Sequence, residues 1–301
     1  MNTGYRTILA EYLKWLDTLG YSDGLIYSCR LNTYEFLEWL SDNRVHDITQ
    51  LTNRHIYDYH AYLETRPNLR YKGRMLSVGH LNKSFFAIDK LLEFLHQYGM
   101  ADAPVPMNRR MAIDQQARIL NIQTLTQQEV KTLYNCIPDT YKSFDFARRQ
   151  AKQYELKLIF ALFYGCGLRR SEGYNLRIKD VDFDRKTVFV EQGKNYKDRV
   201  VPMSAGVYNE LQDYVYNFRH KLRLNHNRLF ISINEGSLGH KLQSLQKVCG
   251  DEAIRAKRLS LHVLRHSIAT HLLQNGMSIE NIALFLGHSS LDSTQIYTHL
   301  A

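Results

Sequence analysis

A chain of 301 residues with 44% hydrophobic and 23% charged content has room for about two globular domains. Its longest apolar run, residues 158–164, falls well short of the roughly twenty that span a bilayer, and no basic-then-apolar export signal opens it, so a soluble cytoplasmic protein is expected, not a membrane or secreted one. The net charge of +9 lies wholly beyond residue 100, because residues 1–100 carry eleven Lys/Arg against eleven Asp/Glu; a basic remainder suits a polyanion such as nucleic acid.

The first hundred residues read as four helices. Apolar side chains recur at helical spacing in Tyr5, Ile8, Leu9, Tyr12, Leu16 and Leu19, and again in Leu81, Phe85, Ile88, Leu92 and Leu95. Between them lie CRLNTYEFLEWL and LTNRHIYDYHAYL, the second with Thr52 as its N-cap. These define a small all-α domain over residues 1–103. Arg66, Arg70, Lys72, Arg74 and Lys83 gather at the entry to the fourth helix, as either a phosphate-contacting face or a solvated helix start. Residues 104–122 follow, where Pro104 and Pro106 discourage helix and Arg109, Arg110 and Arg118 add charge; an extended basic linker is expected. A second domain, residues 123–301, opens with LTQQEVKTLYNCI capped by Thr126. It continues through helices to KTVFVEQGKNYKDRVVPM, two β-prone runs around a turn at residues 193–196, and returns to helix from about Gly206. The fold class expected is mainly α with a small antiparallel β-hairpin or sheet.

Three stretches concentrate groups able to do chemistry. In YGCGLRRSEGYNLRIKDVDF, Arg169 and Arg170 follow a glycine-interrupted apolar helix, so one of them points inward and needs an anion. That anion is either Glu172, three residues on from Arg169, or a bound phosphate. In LSLHVLRHSIATHLLQNG, His262 and Arg265 share a helical face with His266 beside them. His262 and His266 have the spacing of a metal pair, but no carboxylate completes it, and the four scattered cysteines (Cys29, Cys136, Cys166, Cys249) offer neither a CxxC nor a Cys–His pairing. A His and an Arg side by side fit phosphate better. In LGHSSLDSTQIYTHLA, His288 follows a glycine that ends an apolar helix, and Tyr297 stands nine residues further on.

Together these groups supply what a tyrosine needs to attack a phosphodiester. A free phenol has a pKa of about 10 and is a poor nucleophile until cations or a base favour its ionised form. The phosphorane that develops needs fixed donors on its non-bridging oxygens, and the departing 5′ oxygen needs a proton.

The set resembles the tyrosine recombinases, the phage-integrase and Xer-type enzymes, whose signature is Arg…Lys…His-x-x-Arg…His…Tyr. It is matched by Arg169 in GLRRSE, Lys194 in QGKNYKDRVVPM, His262 and Arg265 in HVLRH, His288 in LGHSS and Tyr297 in STQIYTHL. The resemblance implies an N-terminal core-binding (SAM-like) domain and a C-terminal mixed α+β catalytic domain, closing as a C-shaped clamp on duplex DNA. It implies that Arg169, Arg265 and His288 hold the scissile phosphate, and that Tyr297 attacks to leave a 3′-phosphotyrosine. Lys194 would protonate the leaving oxygen, with Lys197 as its rival, and His262 would help move the tyrosine's proton. Glu172 and His266 would support the site from behind. Arg70, Lys72, Arg74, Lys83, Arg109 and Arg110 are candidate DNA contacts. No metal or cofactor is implied. The partner would be double-stranded DNA with inverted repeats, bound in the nucleoid by a homo- or hetero-tetramer. Relatives couple subunits through a helix beyond the tyrosine, for which this sequence leaves four residues. DNA relaxation of the type IB topoisomerase kind, or an inactive DNA-binding factor, would share many of these features.

Overall fold

The computed structural model describes residues 1–114, 122–191, 198–222, 224–232, 234, 236–288 and 291–299. The chain divides into two compact units, Met1–Gln115 and Gln116–Ala301. Both are built mainly of helices, and no helix among the described residues is long and apolar enough to cross a membrane.

In the first unit, α1 (Thr3–Thr18), α2 (Asp23–Asp42), α3 (Asn53–Thr65) and α4 (Val78–Gln97) each begin at a polar cap: Asn2, Ser22, Thr52 and Ser77. Such residues satisfy amide groups that a helix start leaves without partners. Their apolar stripes meet in one core, where Tyr12, Leu16, Phe36, Tyr59, Phe85 and Leu92 are fully buried. Polar links tie that core: Tyr12 Oη donates to Ala87 O at 3.1 Å, and Ser84 Oγ to Asn32 Oδ1 at 2.6 Å. Leu19, which the spacing places on the inner face of α1, instead caps the helix and is 53% exposed, because the helix ends at Thr18.

The segment expected as a linker is bound to this unit over residues 104–114. Met107 N donates to Asp89 Oδ1 at 3.0 Å, and Met111 exchanges two hydrogen bonds with the Asn82 amide. Arg109 pairs with Glu64 at 2.6 Å over the Phe85 ring, and Arg110 with Asp89 at 3.4 Å over Phe86. The segment forms neither helix nor strand, in keeping with its prolines, and side chains of α3 and α4 hold it down. Arg118 lies outside the described residues.

The second unit begins with α5 (Gln127–Asn135), where Thr126 and Glu129 form a reciprocal capping box. Helix α6 (Phe146–Ile159) runs on as an apolar π-helical segment, Phe160–Gly165, and α7 (Arg170–Asn175) follows. Strands β1 (Val181–Asp182), β2 (Thr187–Val190) and β3 (Arg199–Pro202) form an antiparallel sheet in sequence order, with Thr187 opposite Pro202 and Val190 opposite Arg199. The expected hairpin is therefore the outer pair of a three-stranded sheet, and its turn, with Lys194 and Lys197, lies outside the described residues. Strand alternation turns Val188, Val190 and Val201 inward and leaves Phe189 and Val200 exposed. Arg199 falls on the inward register. Helices α8 (Ala205–Gln212), α9 (Gly236–Val248) and α10 (Glu252–Ala256) enclose the core, and α11 (Leu261–Gln274), α12 (Ile279–Leu286) and α13 (Asp292–Gln295) close the chain, with a final 3-10 turn at Ile296–His299. All four cysteines are free thiols.

Candidate active site

The site is organised around the C-terminal end of α12. A helix leaves its last carbonyls without intrahelical partners and carries partial negative charge there. Three arginines from three different elements meet three successive carbonyls of this end. Arg199 of β3 donates from Nε to Phe285 O at 3.2 Å, Arg265 of α11 from Nη2 to Leu286 O at 2.9 Å, and Arg169 before α7 from Nη2 to Gly287 O at 2.6 Å. Gly287 adopts a left-handed conformation (φ 68°) that ends the helix. Gly167 does the same at φ 60°, and its carbonyl accepts from Arg265 Nη1 at 2.5 Å.

One carboxylate holds the cations together. Glu172 takes a two-pronged pair from Arg199 at 3.1 and 2.8 Å, accepts from Arg169 Nη1 at 2.7 Å and from its backbone amide at 2.8 Å, and lies 3.9 Å from Arg265. Burial alone would raise its carboxyl, but hydrogen bonds and charge from Arg199, and then from Arg169, outweigh that and hold it at about 2. Burial and the Arg169 charge bring Arg265 down to about 10, which leaves it cationic at neutral pH. Among the described residues three guanidinium groups share this one carboxylate, and Arg169 keeps part of its side chain exposed.

Tyr297 is 1% exposed and packs with Ala269, Ile282 and Leu286 between α11 and α12. Its Oη lies 2.9 Å from His266 Nδ1. Burial pushes its phenol up to about 12, opposed by the positive charges of Arg265 and Arg169. The His288 ring stacks near it, with centroids 6.4 Å apart, and its Nδ1 is 2.6 Å from the buried Thr294 hydroxyl. Burial, then the charges of Arg265 and Arg169, bring His288 down to about 3, so it is neutral at physiological pH. His262 opens the first turn of α11 with an exposed edge. The protein packed around its base, with Arg265, Arg170 and Arg169, lowers its proton affinity. Among the described residues, no group of three or more His, Cys, Asp or Glu is placed to hold a metal ion.

Of the residues singled out in the sequence, Arg169, Glu172, His262, Arg265, His266, His288 and Tyr297 converge here. Arg170 is exposed at the start of α7, while Arg169 makes the inward contacts. Arg70, Lys72, Arg74 and Lys83 are exposed on the first unit, whereas Arg66 there is drawn into a pair with Glu35 at 2.6 Å. Sequence reasoning missed Arg199 and Thr294. Arg199 left a signal: a charged residue in the inward register of DRVVPM, alternating with Val201, must find a buried partner. Thr294 left none.

Residues 123–301 match the phage integrase family. The tyrosine recombinase XerA of Thermococcus onnurineus is 32% identical over 271 residues, covering 88% of this chain and 88% of that protein. XerA of Thermococcus kodakarensis is 31% identical over 300 residues, covering 97% of this chain and 90% of that protein. The fold is shared with the XerH site-specific recombinase bound to its difH substrate in a pre-cleavage complex (TM-score 0.66, 18% identity, 91% of this chain and 76% of that one). It is shared also with a lambda integrase dimer bound to a core site (TM-score 0.61, 14% identity, 97% and 76%). The chain belongs to the phage integrase family and is a tyrosine recombinase, an enzyme of DNA strand cleavage and rejoining.

Proposed function

We propose that Tyr297 attacks a phosphodiester of duplex DNA, leaving its phenol joined to the 3′ phosphate and releasing a 5′ hydroxyl. The observation that carries this reading is the seating of the near-terminal phenol beside a cluster of three arginines held by one carboxylate. In that reading Arg169 and Arg265 bind the non-bridging oxygens, where fixed guanidinium forks stabilise the charge that grows in the phosphorane. His288, neutral and steadied by Thr294, contributes a ring N–H to the same oxygens, and His262 adds a polar group at the exposed edge. Lys194 protonates the departing 5′ oxygen. The phosphotyrosine conserves the energy of the broken bond, so rejoining to a partner strand calls for neither ATP nor a metal.

The first unit is read as the core-binding domain and the second as the catalytic domain. The partner is double-stranded DNA with inverted-repeat half-sites, acted on by four subunits in the nucleoid. A nicked suicide duplex carrying the recognition site, selected beforehand from random-sequence DNA, tests the chemistry. Wild-type protein should form a covalent adduct that survives denaturant, and Tyr297→Phe should form none. Wild type that binds the site without an adduct would return the protein to the class of inactive DNA-binding factors.

A further inference from the structure

We propose that His266 is the base that takes the phenolic proton as Tyr297 attacks; this rests on the reading of Tyr297 as the nucleophile. The phenol is 1% exposed in the DNA-free chain, and the group its hydroxyl meets there is a protein side chain and not bulk water. Its hydrogen bond runs to His266 Nδ1 at 2.9 Å, the two rings tilted by 52° with centroids 5.7 Å apart. The other groups near it are differently committed. Glu172 is tied up by Arg169 and Arg199, His288 Nδ1 is engaged by Thr294, and His262, to which the resemblance gave this task, lies at the exposed edge of the site.

A neutral His266 with its proton on Nε2 accepts from the phenol. In the attack the phenolic O–H bond breaks, its proton passes to Nδ1, and the oxygen forms its bond to phosphorus. The P–O5′ bond breaks, and the 5′ oxygen takes a proton from the general acid, Lys194 in the reading above. On rejoining, the 5′ hydroxyl gives its proton back to Lys194 as its oxygen bonds to phosphorus, the P–O bond to Tyr297 breaks, and His266 returns its proton to the departing phenolate. A scissile phosphate bound in the site favours an imidazolium close to it. Proton transfer is thereby coupled to DNA occupancy, and the unbound enzyme keeps its nucleophile protonated.

The test is single-turnover cleavage of two suicide duplexes, one natural and one with sulfur at the bridging 5′ position, whose thiolate leaves without a proton. His266→Asn keeps an acceptor near the Nδ1 position and removes the proton affinity; His266→Ala removes both. Thermal melting and DNA binding report whether each variant is folded, and the Asn variant carries the test if the Ala variant is not. Both variants should form adduct about 10²- to 10⁴-fold more slowly than wild type on both duplexes, and imidazole in the buffer should restore the Ala variant in part. The inference is overturned if His266→Asn cleaves at the wild-type rate, which would make the residue a positioning group. It is overturned equally if the sulfur duplex restores His266→Ala, which would place its proton on the leaving-group side. An adduct formed by Tyr297→Phe would sink the nucleophile reading instead.

Discussion

Glu172 is the residue on which the arginine cluster is most exposed to a single change. Replacing it by glutamine leaves Arg169, Arg199 and Arg265 facing one another without their shared counter-charge. Breaking a buried pair in this way costs about 3 kcal/mol or more. The pH dependence has a definite sign. The carboxyl is lowered from the ordinary 4.5 to about 2 in the folded protein, so its contribution is complete above about 4.5 and is lost as pH falls toward 2. Urea denaturation of wild type and Glu172→Gln should therefore differ by a constant amount at neutral pH, with the gap closing over that acidic window. A gap unchanged from pH 6 to pH 3 would contradict the assignment. At this scale the sequence was legible wherever chemistry depends on residue type and order. Arg169, His262, Arg265, His288 and Tyr297 were singled out by type and order, and the fold brings them together. Arg199 and the Tyr297–His266 hydrogen bond were not read, because they arise from strand register and from packing between α11 and the final turn.

Among the elements, α12 does more than fill the core. Its last carbonyls receive one arginine each from β3, α11 and the turn before α7, so a short apolar helix fixes the spacing of groups drawn from distant parts of the chain. Gly167 is the companion to that end. Its left-handed backbone offers a carbonyl to Arg265, and a Cβ there would stand 2.8 Å from Leu286 Cδ2 and 3.0 Å from Phe285 Cε1. Gly167→Ala should cost about 2 kcal/mol or more in thermal unfolding, from the disfavoured φ and the contact with α12. It should also slow DNA cleavage beyond what the lost stability explains. Wild-type cleavage in this variant would mean that Arg265 needs no such anchor. Helical periodicity had marked α1, α4, α11 and α12, and Thr52 and Thr126 had marked two helix starts. The docking of residues 104–114 was hidden, because proline and arginine content reports local backbone preference and not the Glu64, Asp89 and Asn82 side chains that bind the segment.

For the molecule as a whole, the net charge of +9 favours a polyanion such as DNA. Affinity should fall steeply with salt as counterions return to the DNA. Lys72→Ala and Arg74→Ala, exposed on the first unit, should each weaken binding on all sequences alike and reduce the salt slope by about 1. Arg109→Ala should instead act through stability, since Arg109 is paired with Glu64 and covers the Phe85 ring. Fluorescence anisotropy across a salt series separates the two, and slopes unchanged in the Lys72 and Arg74 variants would remove those residues from the interface. Composition had shown the charge asymmetry between the two parts of the chain, though not which cations are committed to internal pairs. The central claim, that the near-terminal phenol is the atom that strikes phosphorus, is tested most directly by the linkage itself. Protein trapped on a suicide duplex, digested and sequenced by mass spectrometry, should carry a nucleotide joined through its 3′ phosphate to Tyr297. A nucleotide on any other residue, or one joined through a 5′ phosphate, would contradict the account.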